Sequence, residues 1–142
     1  QPKEGIYATV IGIFLRQKYN REPLTIVGDG QQKRDFTYIS DIVKANLLAM
    51  ESSAGNGEII NIGTGKNDSI NSIAGMVLET NIKDACGNRL VNYIPKRPEE
   101  VEETLADISL ANKLLGWKPS ISMKEGLQKT AAWHEQKISR KN

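Results

Sequence analysis

The chain has 142 residues, a formal net charge of +2 and 39% hydrophobic residues, which is enough for one ordinary globular domain. Its lysines and arginines are scattered rather than clustered, so no nucleic-acid partner is expected. The longest apolar runs are too short to cross a bilayer and no signal peptide opens the sequence, so we expect a cytoplasmic protein with no membrane partner.

The first part of the chain predicts two helices and two strands. Apolar residues at helical spacing predict an amphipathic helix that ends near Asn20, and these residues are Ile6, Val10, Ile13 and Phe14. Strands are predicted at Leu24–Val27 and Asp35–Ile39, joined by a Gly-Asp-Gly loop. A second helix, Asp41–Glu51, is expected to be capped by Ser40 or Asp41.

The second part of the chain continues the alternation of strands and helices. Glu58–Ile62 and Leu90–Ile94 are predicted strands, the first after a turn at 55–57. Between them, one apolar face predicts a helix over 70–78, with Asp68 or Ser69 as its N-cap. Two further helices are predicted, one from near residue 107 to 115 and one over 123–136. Short strands alternating with about five helices predict an α/β fold.

The stretch from Gly28 to Asp41 says the most about function. Its glycines allow a turn with φ > 0 or a close approach to a ligand. Arg34 follows directly and could grip a phosphate with two parallel hydrogen bonds. A surface hairpin in which Arg34 pairs with a carboxylate fits the same residues equally well.

A second candidate site lies in the stretch Pro-Lys-Arg-Pro-Glu-Glu at 95–100. Proline fixes this loop, while Arg97 and Glu100 offer a phosphate donor and a hydroxyl acceptor close together. A solvated run of charges, continued by Glu102 and Glu103, is the alternative that the spacing alone favours.

Gly63-Thr64-Gly65 follows a predicted strand and precedes a predicted helix, as a dinucleotide-binding loop does. Asp68 stands where that fingerprint needs Gly or Ala, and the expected downstream acid is missing. We therefore interpret this loop as a structural turn. The single cysteine and single histidine cannot build a Cys/His zinc site.

Several segments, in order along the chain, resemble the NAD-dependent epimerase/dehydratase family, the extended short-chain dehydrogenase/reductases. The family pattern Gly-Asp-Gly-x-Gln-x-Arg-Asp-Phe-x-Tyr-(Val/Ile)-x-Asp is matched over 28–41, and Tyr-Asn-Ile-Gly-x-Gly is matched over 60–65 with Ile60 for the Tyr. The run Arg-Pro-Gly-(Glu/Asp)-Val…Thr-x-Ala-Asp becomes Arg97 to Val101 and Thr104 to Asp107. The ending Leu-Leu-Gly-Trp-Lys-Pro at 114–119 is also similar to the family's.

This resemblance implies that residues 1–142 form the C-terminal nucleotide-sugar-binding portion of an extended Rossmann-type epimerase. Arg34 and Arg97 would clamp the diphosphate of an NDP-sugar, for which UDP is expected, and Glu100 would meet the ribose hydroxyls. The strand before the first loop would line the base pocket. The substrate-binding residues implied in this way are Thr25, Val27, Gln32, Arg34, Arg97 and Glu100. Glu99 departs from the family because it places a charged side chain where the pattern has Gly.

The family's hydride-transfer chemistry uses a Tyr-x-x-x-Lys pair and a Gly-rich NAD loop, and the sequence contains neither. The resemblance therefore implies a fragment that is not catalytic alone, with NAD held by an N-terminal Rossmann half in a homodimer. Helix 41–51 has more apolar residues than one buried face of a small domain needs, and this extra apolar surface is expected to pack against that half. The run at 104–109 resembles the 4-epimerases more than the 4,6-dehydratases. A dehydratase or decarboxylase of the family, or a non-catalytic nucleotide-sugar-binding module, remains the alternative.

Overall fold

The computed structural model describes residues 9–53 and 57–139. In chain order the elements are α1 (Val10–Tyr19), β1 (Leu24–Val27), β2 (Lys33–Arg34), α2 (Ile39–Glu51), β3 (Asp68–Ser69), α3 (Ile70–Leu78), α4 (Ile82–Gly87), β4 (Val91–Ile94), α5 (Ser109–Leu115) and α6 (Met123–Ser139). They divide between two compact units. The first unit runs to Lys33 and then includes Ser69–Glu102 and the chain from Leu127, whereas the second contains Arg34–Asp68 and Glu103–Gly126.

The first unit is built on a pair of parallel strands. Leu24 of β1 lies opposite Val91 of β4, and Val27 lies opposite Ile94. Side chains from α1, β1, α3 and α4 form the core beneath the strands, and the fully or nearly fully buried ones are Phe14, Leu24, Ile26, Ile73, Ala74, Val77 and Ala85. The apolar spacing of α3 thus meets the alternating apolar residues of β1, as their periods of 3.6 and 2 predict.

The second unit packs around Trp117, whose side chain has no exposed surface. Apolar residues of α2, α5 and the segments beside them surround the indole, and these are Ala45, Leu48, Ile60, Ile62, Ile108, Ala111 and Leu115. The indole Nε1 donates to the Asp41 carbonyl oxygen at 3.0 Å, which gives this buried donor its partner. Gly116 ends α5 in the left-handed region, with φ of 62°.

Most of the predicted elements are confirmed. The strands at 24–27 and 91–94 form, and so do the helices at 70–78, 109–115 and 123–139. Ser69 caps α3, because its Oγ accepts a hydrogen bond from Ser72 N at 3.1 Å. The sequence pattern missed α4, a short helix with few apolar residues. The proposed start of the first helix at Ile6 and most of the turn at 55–57 lie outside the described residues.

Two predicted strands and one predicted cap are wrong. Residues 35–38 are not in a strand and α2 begins at Ile39, while 58–62 forms no strand. The alternation in 58–62 has another cause, because Ile60 and Ile62 pack near Trp117 without a paired strand. Neither Ser40 nor Asp41 caps α2. The N-cap is Tyr38, and the Asp41 carboxylate instead accepts hydrogen bonds from Ser120 and Ile121.

Candidate functional site

Two loops leave the carboxyl ends of the parallel strands in the first unit. One follows Val27 at the end of β1, and the other follows Ile94 at the end of β4. They lie side by side, since Gly28 N donates to Ile94 O at 2.8 Å and a Cβ on Gly28 would lie 3.6 Å from the Lys96 Cβ. Ligands of open α/β folds bind outside the carboxyl ends of the strands, so this edge is the candidate site.

The Gly28-Asp29-Gly30 loop has room only for glycine at its last position. Gly30 has a φ of 72°, and a Cβ there would lie 2.1 Å from Asn71 Oδ1. Asn71, in the first turn of α3, holds the loop from below. Its backbone N donates to Gly30 O at 3.0 Å and its Nδ2 donates to Asp29 O at 2.9 Å. The loop is therefore fixed by a helix of the core.

Tyr93 orients the amide of Asn71. Its hydroxyl donates to Asn71 Oδ1 at 2.9 Å, and the Cys86 Sγ lies 3.8 Å from the same hydroxyl. Partial burial is the larger cause that raises the pKa of Tyr93, and the nearby Cys86 thiol raises it further. The hydroxyl therefore keeps its proton and remains a donor. Sequence reasoning missed both Asn71 and Tyr93. The one signal was Gly30, whose lack of a side chain indicated a close neighbour.

The predicted base-pocket residues of β1 are engaged within the protein. The Thr25 hydroxyl accepts a hydrogen bond from Gln17 Nε2 at 2.9 Å, and Thr25 N donates to Gln17 Oε1 at 3.1 Å. Gln32 is buried, and its Nε2 donates to Val27 O at 2.8 Å. Gln32 thus closes the loop back onto β1, and Val27 is half-buried at the end of the strand.

The loop after β4 contains a tight turn over Arg97-Pro98-Glu99-Glu100. Glu100 N donates to Arg97 O at 3.4 Å, and Glu99 has a φ of 60°. Proline at the second position followed by a positive φ at the third is the pattern of a type II turn, which favours glycine at that third position. This explains why the family pattern has Gly there. The turn leaves Arg97 exposed and Glu100 half-buried.

Besides Arg97, the loop after β4 contains a second cation, Lys96, which lies beside the Gly28-Asp29-Gly30 loop. Its Nζ pairs with the Glu102 carboxylate, and this hydrogen bond raises the pKa of Lys96. Lys96 therefore stays protonated throughout the ordinary pH range. Sequence reasoning had noted Lys96 only as a neighbour of Arg97.

Arg34 is the first residue of the second unit and is half-buried. The next residue, Asp35, is held by hydrogen bonds from Thr64 N at 2.8 Å, Thr64 Oγ1 at 2.6 Å and Gly65 N at 3.0 Å. A Cβ on Gly63 would lie 2.8 Å from Asp35 Oδ2. The Gly63-Thr64-Gly65 loop thus binds a carboxylate of its own chain, as the interpretation of a structural turn predicts. Its amides are occupied, so this loop does not fit the pyrophosphate of NAD.

Across 9–53 and 57–139, no helix is both long and apolar enough to cross a membrane. Over the same ranges, no three or more His, Cys, Asp or Glu side chains gather into a metal site.

Residues 1–130 match the family model described as GDP-mannose 4,6 dehydratase. The chain belongs to the NAD-dependent epimerase/dehydratase family. It is 41% identical to UDP-glucuronate 4-epimerase of Thermodesulfobacterium geofontis, over 88% of this chain and 37% of that protein. Decarboxylases of UDP-sugars also appear among its relatives.

Solved structures give the same result. UDP-glucose 4-epimerase of Thermotoga maritima, solved with UDP-glucose, superposes with a TM-score of 0.82 at 34% identity and covers 97% of this chain. UDP-glucuronic acid 4-epimerase of Bacillus cereus, solved with UDP-glucuronic acid and NAD, gives a TM-score of 0.77 at 35% identity over 90% of this chain. These matches confirm the α/β fold of the extended Rossmann type and a family that depends on NAD. The chain spans 42% and 40% of those two structures.

Proposed function

We propose that this chain is the nucleotide-sugar-binding part of an NAD-dependent UDP-sugar 4-epimerase and is not catalytic alone. The observation that carries the proposal is the parallel pairing of β1 with β4, because it sets the Gly28–Gly30 loop beside the loop of Arg97. The relatives and neighbours whose names mention 4-epimerases act on UDP-sugars, which supports UDP as the nucleotide.

Each loop has a role in this proposal. Arg97 is exposed near the start of the loop after β4, where its guanidinium binds the diphosphate with charge-assisted hydrogen bonds. Glu100, three residues along the same turn, accepts from the ribose hydroxyls. The end of β1 near Val27 lies beside the base. Arg34 is assigned to the same diphosphate on the family motif alone.

The test is calorimetric titration of the full-length protein with UDP. Arg97→Ala and Arg34→Ala should each weaken binding by about tenfold or more, since a hydrogen bond to a charged group is worth about 1.5–3 kcal/mol. Arg→Lys should restore only part of the affinity, because an ammonium cannot reproduce the planar fork. Arg89→Ala is the matched control, since Arg89 precedes β4 at its opposite end. Wild-type affinity in both alanine variants would refute the proposal that Arg34 and Arg97 bind the diphosphate.

We also propose that the exposed face of α2 packs against the cofactor-binding part of a longer polypeptide. Val43, Leu47 and Met50 are 50%, 53% and 81% exposed, and Ile39 at the start of the helix is 65% exposed. These positions repeat at helical spacing, so they form one apolar stripe. An apolar stripe of this kind marks an interaction surface. The relatives are more than twice as long as this chain, which supports a partner within the same polypeptide.

A decarboxylase is the second candidate, supported by a UDP-N-acetyl-alpha-D-glucosaminuronate decarboxylase of Bacillus cytotoxicus at 33% identity. The full-length protein, incubated with UDP-glucuronate and NAD, separates the two. An epimerase yields UDP-galacturonate and keeps the carboxylate, whereas release of carbon dioxide would replace the epimerase proposal with the decarboxylase.

A further inference from the structure

The Asp35 side chain joins its own segment of the second unit to two others, the 63–65 loop and the segment that contains Ala106. Its carboxylate accepts hydrogen bonds from Thr64 N at 2.8 Å, Thr64 Oγ1 at 2.6 Å, Gly65 N at 3.0 Å and Ala106 N at 3.3 Å. Its own amide N donates to Thr104 Oγ1 at 3.3 Å. Both carboxylate oxygens are used, so an amide side chain of the same shape could not replace it without turning an NH2 group toward a backbone N–H.

These contacts leave little freedom at the peptide between Arg34 and Asp35. The Asp35 N–H is directed to Thr104, and the Asp35 carboxylate fixes the residue's χ1 against the 63–65 loop. The loop itself packs closely on Ala106, since a Cβ on Gly63 would lie 2.3 Å from the Ala106 Cβ. Asp35 therefore restricts the direction in which the Arg34 side chain leaves the backbone, alongside the pairing of β2 with β3.

We propose that Asp35 is a positioning residue that aims Arg34 at the nucleotide-sugar diphosphate. The inference rests on the proposed function, since it gives Asp35 a role only through the phosphate-binding role of Arg34. Bidentate recognition by a guanidinium depends on its angle of approach, so a loosened backbone lowers affinity even when the arginine is intact.

The test is a double-mutant cycle on the full-length protein, followed by UDP titration. Asp35→Asn should weaken UDP binding about fivefold, and the same change in an Arg34→Ala background should weaken it less than about twofold, because residues of one network are not additive. Thr64→Val, which removes one donor and keeps the shape, should cost about twofold and provides a milder variant if Asp35→Asn folds poorly.

Asp41→Asn is the matched control. Asp41 is a carboxylate of the same unit, buried and held by Ser120 N, Ser120 Oγ and Ile121 N at 3.0, 2.6 and 3.0 Å. The Asp41→Asn variant should lose stability, as Asp35→Asn should, yet its UDP affinity should stay within about twofold of wild type. A general loss of folding would lower UDP binding in both variants alike.

The outcomes separate the inference from the function it rests on. Wild-type affinity in Asp35→Asn, with weakened binding in Arg34→Ala, overturns the positioning role and leaves the arginine's role standing. An equal loss from Asp35→Asn with and without Arg34 also overturns it, because Asp35 would then act independently. Wild-type affinity in Arg34→Ala overturns the proposed role of that arginine, and the positioning role with it.

Discussion

Glu99 gives the sharpest prediction, because its backbone and its charge can be changed separately. The residue has a φ of 60° at the third position of the turn beside Arg97. Glu99→Gly removes both the strained conformation and the negative charge, whereas Glu99→Gln removes the charge alone. Arg89→Gly is the backbone control, since Arg89 has a φ of 56° at the opposite end of β4.

The backbone part of the effect concerns stability. A residue with a Cβ in the left-handed region costs about 1–2 kcal/mol. Glycine loses more conformational entropy on folding, which offsets about 0.5–1 kcal/mol of that gain. Glu99→Gly should therefore raise the free energy of unfolding by about 0.5–1 kcal/mol, as should Arg89→Gly. Glu99→Gln keeps its Cβ and should leave the free energy of unfolding within about 0.5 kcal/mol of wild type.

The charge part of the effect concerns UDP. Coulomb's law in water gives about 0.6 kcal/mol of repulsion per unit of ligand charge for a carboxylate placed about 7 Å from a diphosphate, the order of separation that the proposed site would give Glu99. Both Glu99 variants should then bind UDP about threefold more tightly for each negative charge on the diphosphate at low salt, and the gain should shrink as ionic strength rises. Urea unfolding and UDP titration of the full-length protein measure the two parts. Equal stabilisation by Glu99→Gln and Glu99→Gly, or tighter UDP binding by Arg89→Gly, would contradict these two predictions.

Two further predictions concern the second unit. The isolated chain should self-associate through the apolar stripe on α2, so the double change Val43→Lys and Leu47→Lys should give a monomer in light scattering. The control Leu105→Lys, at an equally exposed leucine outside the stripe, should leave the association unchanged, and a monomeric wild-type chain would contradict the prediction. Burial raises the pKa of Asp41, but hydrogen bonds from Ser120 and Ile121 outweigh it and leave the pKa lowered. A lowered folded pKa adds stability above the unfolded pKa, which is lost as pH falls through the folded one. Asp41→Asn should therefore unfold more easily than wild type at pH 7, and the difference should begin to shrink below about pH 4 and keep falling as pH passes through the lowered folded pKa; a difference that does not shrink in acid would refute it.

Local periodicity was enough where an element packs through its own apolar face. The spacing of Ile70, Ile73 and Val77 predicts α3, and all three are buried. Gly116 marks the end of α5 because the left-handed conformation there suits glycine. The strands β1 and β4 were likewise visible as short apolar runs. Their parallel pairing was not predicted, and that pairing brings the two candidate loops together.

Periodicity failed where side chains take the place of a strand partner. The alternating run after Arg34 has the pattern of a strand, yet the Asp35 carboxylate at its start accepts hydrogen bonds from Thr64, Gly65 and Ala106. Those partners lie 29, 30 and 71 positions away, so no local window contains them. Distance in sequence also hid Asn71, which lies 42 positions beyond Asp29.

The matched motif at 28–41 therefore contains residues with two kinds of task. Arg34 is assigned to a ligand, whereas Gly30 makes room for Asn71, and Gln32 closes its loop onto Val27. Asp35 and Asp41 have their carboxylates fully engaged by their own unit, so neither is offered to a substrate. Much of this motif therefore stabilises its own loop and helix, and Asp35 is the one residue of it that we propose positions Arg34. The effect of a substitution at Asp35 or Asp41 on UDP binding should therefore be interpreted from its coupling energy with Arg34, and not from the position of the residue in the motif.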